Sequence, residues 1–228
     1  MRIILLCLLV VGFTSCKTMS HLMTEPTVLE NVSAVKEVMN SSAFKAITTL
    51  TKLGGDDPTA GLPKEVGMVL GALKNLGLGN EMDKTLNSIG MASRLVTAET
   101  KVLMQESIQE LDIKDAAAII LGGESAATSV LKQAMYGSVK KRYSARLDQE
   151  LNKTDATKYW PMAASAFNLF AKNKVEGKLS DFMAERAVDG LFLTMGKEEK
   201  KVRTDYKSLG SQTVTKVFDY YTKKKKQG

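Results

Sequence analysis

Histidine is almost missing from this chain, with His21 the only one in 228 residues. A Ser-His-Asp triad therefore lacks a base anywhere in the body of the sequence. Cysteine is nearly as scarce: Cys7 and Cys16 both fall in the first 16 residues. Beyond them no disulfide and no thiolate metal site is available, and a chain of this length needs no disulfide to hold a core. Runs of alternating β-branched residues bounded by turn signals, the mark of strands, are also missing. The longest aliphatic stretch, Ile3 to Val11, is far short of the ~20 residues that span a bilayer as a helix.

That stretch has a meaning of its own. Arg2 precedes it, Gly12 interrupts it, and Phe13-Thr14-Ser15-Cys16 follows. A charged start, a short apolar run and small residues at a cut site make a secretory leader. Cys16 stands where a bacterial lipoprotein is cleaved and acylated. The expectation is a signal peptide over 1–15, a lipidated Cys16, and a tether over 16–27. Several acyl chains on one residue anchor firmly, whereas one binds only marginally. Lys17, in place of an acidic residue, points to the outer membrane and its periplasmic face. Cys7 leaves with the leader. Losing Arg2 leaves 31 basic residues against 25 acidic, a net of +6. This mild excess gathers at Lys223–Lys226 rather than along an aromatic-studded face, which argues against nucleic acid as a partner.

The remainder reads as helix. Val28, Val32, Val35, Val38 and Met39, then Ile47, Leu50 and Leu53, recur at helical spacing, with Asn40-Ser41-Ser42 as an expected break. Gly54–Pro58 reads as a loop. Pro63 opens a helix with Val66, Leu70 and Leu73 on its buried stripe, and Gly77-Leu78-Gly79 closes it. A long helix follows over about 80–111. Asp112 is the expected cap of a short helix ending at Gly122-Gly123. Another runs from Glu124 to Asn152. Thr154 and Asp155 cap a segment holding Pro161, and Ser180 caps a helix with a wide apolar face. Ser211 opens the last, which frays at the lysines. The prediction is an all-α fold, a compact multi-helix bundle or orthogonal array of roughly seven to nine helices, without significant sheet. It forms a single domain over 28–222 with a basic tail over 223–228.

Two stretches are distinctive. One is Ala118-Ile119-Ile120-Leu121-Gly122-Gly123 with Ala126-Ala127-Thr128. The other is Ala187-Val188-Asp189-Gly190-Leu191-Phe192 followed by Glu198-Glu199 and Arg203. Leu62-Pro63, Leu76–Gly79, Asn87 and Val217-Phe218 agree in order. Together they resemble the bacterial domain-of-unknown-function family numbered 4197, over about residues 28–219. The resemblance implies a helical, secreted and often lipidated protein, and no reaction. The pattern departs after Asn87, where Ser88–Ser93 replaces a stretch expected to carry an Arg and a Glu.

Four constellations carry chemical possibilities. Asp181, Glu185 and Asp189 share a helix face and with Arg186 form a candidate polar cluster. Carboxylates so arranged serve acid–base work or a structural ion pair. Asp189 interrupts an apolar run, so burial with Arg142, Arg146 or Arg186 as its partner is expected. Tyr159, Trp160, Phe167, Phe170 and Phe192 line a candidate apolar pocket, their ordinary role being core. Gly122 and Gly123 mark a candidate helix corner, and no phosphate-loop Lys-Ser/Thr follows them. Glu199 and Arg203 form a helical ion pair in the favourable order, worth ~0.2–0.5 kcal/mol on an exposed face. The preferred function is a membrane-anchored envelope lipoprotein that binds an envelope protein partner or scaffolds, without catalysis, cofactor or metal. A carrier of lipid or another apolar ligand is the alternative, and a carboxylate-dependent enzyme the third.

Overall fold

The computed structural model describes residues 24–53, 77, 79–153, 156–170, 172, 174 and 176–227. The leader, Cys16, His21, the 54–58 loop, the Pro63 helix and the Thr154-Asp155 cap lie outside the described residues. Among the described residues there are seven α-helices and no strand. They are α1 (Val28–Leu53), α2 (Gly79–Glu110), α3 (Ala116–Leu121), α4 (Ala126–Leu151), α5 (Ala156–Phe170), α6 (Leu179–Thr204) and α7 (Gln212–Gln227). A short 3₁₀ turn, Tyr206–Leu209, joins α6 to α7. The expectation of an all-α fold is met. None of the described helices is long and apolar enough to cross a membrane.

The first helix is central, packing against α2, α3, α4, α6 and α7. A second layer comes from α4, which runs between α2 and α6. Its buried stripe, Leu131, Met135, Val139, Tyr143, Leu147 and Leu151, repeats every fourth residue, the spacing that keeps side chains on one helical face. Val35, Val38 and Met39 from α1 join the core with Val188 and Met195 from α6 and Val217 from α7.

Helix ends differ from expectation where local chemistry decides them. Thr27 and Glu30 form a reciprocal capping box at α1: the Thr27 N–H donates to Glu30 Oε2 at 2.8 Å, and the Glu30 N–H donates to Thr27 Oγ1 at 3.2 Å. Hydrogen bonding from Lys216 and from Thr27 holds the Glu30 carboxyl below its ordinary range. Pro26 is already buried, so the tether ends before residue 27. Asn40-Ser41-Ser42 does not break α1, and Ser42 is fully buried in its middle. Serine disfavours a helix interior only weakly, and packing overrides that preference. Asp115, not Asp112, caps α3 by accepting the Ala118 N–H at 2.8 Å.

Lys178 is the cap position of α6; Ser180 is inside the helix and donates to Asp148 Oδ1 at 3.1 Å. Pro161 lies early within α5, as expected. Ser211 does open α7, accepting the Val214 N–H at 3.1 Å. The lysines do not fray, because α7 continues to Gln227. Gly77 adopts φ +88°, the left-handed region that glycine enters without cost.

Candidate functional site

The short α3 and the long α4 meet at a sharp corner, and both of their inner ends lack intrahelical partners. Two side chains of α6 supply them. Glu199, with no exposed surface, accepts the Ala127 N–H at 2.9 Å on Oε1 and the Thr128 N–H at 2.6 Å on Oε2. A carboxylate at a helix N-terminus also meets the positive end of the helix dipole. Arg203, one turn later, donates Nε–H to Glu199 Oε1 at 2.7 Å. Its other nitrogens donate to the carbonyls of Ile120 and Ile119, each at 2.9 Å, at the C-terminal end of α3. One ion pair thus caps two helices of opposite polarity. The guanidinium also lies 5.8 Å from the Phe218 ring of α7.

The exposed-pair figure expected for Glu199 and Arg203 does not apply here. The carboxylate is out of water, the arginine side chain is 12% exposed, and both are satisfied by backbone groups. Spacing alone identified the pair but carried no sign of its burial. The sequence offered Glu198-Glu199 behind an apolar run, a pattern that does not say which carboxylate turns inward.

The glycines of the corner differ in role. Gly122 ends α3 with φ −67°, which any residue adopts, so space rather than conformation requires glycine. A Cβ there would lie 2.8 Å from the Ala126 Cβ and 3.0 Å from the Ala118 carbonyl oxygen. A Cβ on Gly123 would meet nothing within 4 Å. On α6, Gly196 brings the backbone against Ser125, whose Cβ would be 3.3 Å from an added Cβ.

The acidic strip faces α4. Glu185 pairs with Lys140 at 2.6 Å, Asp189 with Lys132 at 3.4 Å, and Asp181 accepts a hydrogen bond from the Ser144 hydroxyl. Residues 132, 140 and 144 descend α4 as 189, 185 and 181 ascend α6, so the strip is an antiparallel zipper. Tyr136 lies between its rungs; burial and the neighbouring Asp189 charge raise its phenol above the ordinary range. The Glu185 hydrogen bond raises Lys140.

Asp189 departs from expectation. Its side chain is 43% exposed and its partner is a lysine. Arg146 instead approaches Glu99 at 3.6 Å. Arg186 is exposed and leaves the cluster, lying over the Phe182 ring at 5.4 Å. These rungs are solvent-screened, so each contributes below about 1 kcal/mol. Asp189→Asn and Glu185→Gln, singly, should shift the urea midpoint only slightly with an unchanged slope. A shift above about 2 kcal/mol in either would show the strip to be a buried network instead.

The candidate apolar pocket does not assemble from its described members. Trp160 stacks with Phe182 at 5.5 Å and donates its indole N–H to the Gly177 carbonyl at 2.9 Å. Phe192 pairs with Tyr136 at 6.3 Å. Phe182 and Phe192 are ten residues apart on one helix, about 15 Å along its axis. The side chains of Tyr159, Phe167 and Phe170 lie outside the described ones. Phe192 instead floors an open groove of ≈ 570 Å³ between α4 and α6, with Leu193, Gly196 and Lys197 on one wall and Ser125 and Lys132 on the other. Among the described residues no cluster of His, Cys, Asp and Glu could hold a metal ion.

The two distinctive stretches of the sequence are therefore the two halves of one contact, Ala127-Thr128 with Glu199, and Ile119-Ile120 with Arg203. The family model described as "protein of unknown function (DUF4197)" matches residues 25–219. The chain belongs to the DUF4197 family. The match begins at Glu25, beside buried Pro26, and ends inside α7 at Asp219. It thus covers every residue of the DUF4197 corner clamp. No curated protein and no solved structure matches the chain.

Proposed function

We propose that this protein is a lipid-anchored helical protein of the cell envelope, held through Cys16 on the periplasmic face of the outer membrane, that acts by binding a protein partner rather than by catalysis. One observation carries the non-catalytic part. The carboxylates that the sequence offers for acid–base work, Asp181, Glu185 and Asp189, are each engaged in joining α6 to α4. The anchoring part is supported by the leader and by the position of Cys16 in Phe13–Cys16.

The groove between α4 and α6 is the surface offered to the partner. Leu193 on its wall is 63% exposed, and apolar surface bordered by charge is typical of interaction sites. A photoreactive amino acid in place of Leu193, in cells, should give one discrete cross-linked species, whereas the same probe at exposed Lys141 should not. Diffuse background at both positions overturns the reading. Intact mass of the protein from membranes should show the acyl chains on Cys16; an unmodified product in the soluble fraction overturns the anchor.

A further inference from the structure

The first turn of α1 packs against the middle of α7. The Asn31 amide donates to the Tyr221 hydroxyl at 3.1 Å, in a buried contact, and Lys216 pairs with Glu30 at 2.6 Å. The buried residues of α1, Val35 and Val38, follow Asn31, while those of α7, Val214, Val217 and Phe218, precede Tyr221. The core residues of each helix thus lie to one side of the Asn31–Tyr221 contact along its axis, and the exposed end of each helix lies beyond that contact. There stand Val28 and Leu29, each 78% exposed, and the exposed lysines 223–226. Four consecutive lysines on a continuous helix fan around nearly a full turn, so the end of α7 cannot be buried against protein. Lys224 reaches back over the Tyr220 ring at 5.7 Å, which adds an aromatic group suited to an interface between apolar and wet surroundings.

The position of the anchor selects the occupant of this surface. Seven residues separate Cys16 from Thr24, so Cys16 lies eight chain steps, or at most roughly 29 Å, from Thr24 even if the chain is fully extended. We infer that Val28, Leu29 and Lys223–Lys226 form a second membrane contact, which rests on the anionic headgroups of the bilayer that holds the acyl chains. This deepens the anchoring reading and depends on it for where the bilayer is. The lysines supply attraction that acts within about a Debye length, ~8–10 Å. The two apolar side chains supply a shallow insertion. The contact fixes which end of the molecule faces the lipid, and it leaves the groove between α4 and α6 to be displayed elsewhere on the body.

The acylated full-length protein, reconstituted into vesicles with and without phosphatidylglycerol, separates the two claims. Flotation with neutral vesicles, together with the mass at Cys16, reports the anchor alone. Acetylation rates of Lys223–Lys226, compared with Lys197 on α6, report the second contact. The expected result is several-fold slower acetylation of these four lysines in phosphatidylglycerol vesicles, lost in neutral vesicles and at high salt. Replacing all four by Gln should weaken binding to phosphatidylglycerol vesicles by roughly 600-fold, at about five-fold per charge, without changing flotation on neutral ones. Equal acetylation in both vesicle types, or protection that salt does not reverse, overturns the second contact while leaving the anchor standing. Loss of flotation on neutral vesicles overturns the anchor instead.

Discussion

Glu199→Gln lowers the thermal midpoint of unfolding by roughly 6–20 °C. The figure follows from the ~3–5 kcal/mol cost of breaking a buried ion pair and a shift of about 2–4 °C per kcal/mol in a domain of this size. The amide keeps the shape of the carboxylate but offers one acceptor oxygen. Glu199 currently receives the Ala127 N–H and Arg203 on Oε1 and the Thr128 N–H on Oε2. Whichever way the amide turns, its NH₂ faces a donor, and the Arg203 charge is left buried without its counter-ion.

Arg203→Met is expected to cost a similar amount. Lysine should not rescue it, because a single ammonium cannot reach Glu199 and two carbonyls in the planar fork that guanidinium provides. Many buried ion pairs can be exchanged for apolar residues with little loss. This one should resist the exchange. The double variant Glu199→Met, Arg203→Met removes both charges but leaves the Ala127 and Thr128 N–H groups and the Ile120 carbonyl unpaired, and the Ile119 carbonyl with only the Gly122 N–H at 3.3 Å, at about 1–3 kcal/mol for each unpaired group that stays dry. Calorimetry on the wild type, the two single variants and the double closes the cycle. A double variant as stable as the wild type would refute the capping role.

Gly122→Ala destabilises by about 1–3 kcal/mol, the usual range for forcing volume into a packed site, whereas Gly123→Ala stays within about 0.5 kcal/mol of the parent. The contrast tests whether the corner depends on close approach. At Gly122 the new methyl would meet the Ala126 Cβ at 2.8 Å and the Ala118 carbonyl at 3.0 Å, and neither atom is the end of a flexible side chain. Moving them drags the ends of both helices away from the Glu199–Arg203 clamp. Combining Gly122→Ala with Glu199→Gln should therefore be less than additive, since either change already loosens the same contact. Urea midpoints at constant slope measure all three. Equal effects at the two glycines would mean that the corner is loose.

Periodicity made most of the architecture readable from the sequence, since helical spacing over long segments is a strong signal. Helix ends were harder. Asp112 and Asp115 both carry the right chemistry for a cap, and only the position of the Ala118 N–H decides between them. Ser180 resembled a cap because serine usually serves as one, yet Asp148 on a neighbouring helix claims its hydroxyl. The Thr27–Glu30 box was legible as Thr-x-x-Glu ahead of an apolar run and would have placed the start of α1. The partners of the acidic strip were legible too, in the spacing of Lys132, Lys140 and Ser144, once α4 and α6 are taken as antiparallel neighbours. Burial was the quantity that stayed hidden. Asp189 interrupts an apolar run yet points to the rim, while Glu199, beside another glutamate, points inward. Which way each faces depends on how α6 is rotated against α4, and no local pattern contains that angle.

The clamp also sets when this chain can finish folding. Glu199 and Arg203 reach partners 71 to 84 residues earlier in the sequence, and Tyr221 reaches back 190 residues to Asn31. Contacts of such long separation are slow to close, because the intervening chain must be ordered first. A chain emerging N-terminus first therefore holds the α3–α4 corner with bare ends until Glu199 and Arg203 of α6 arrive. The interval before those residues appear is when the polypeptide is most open to proteolysis and aggregation.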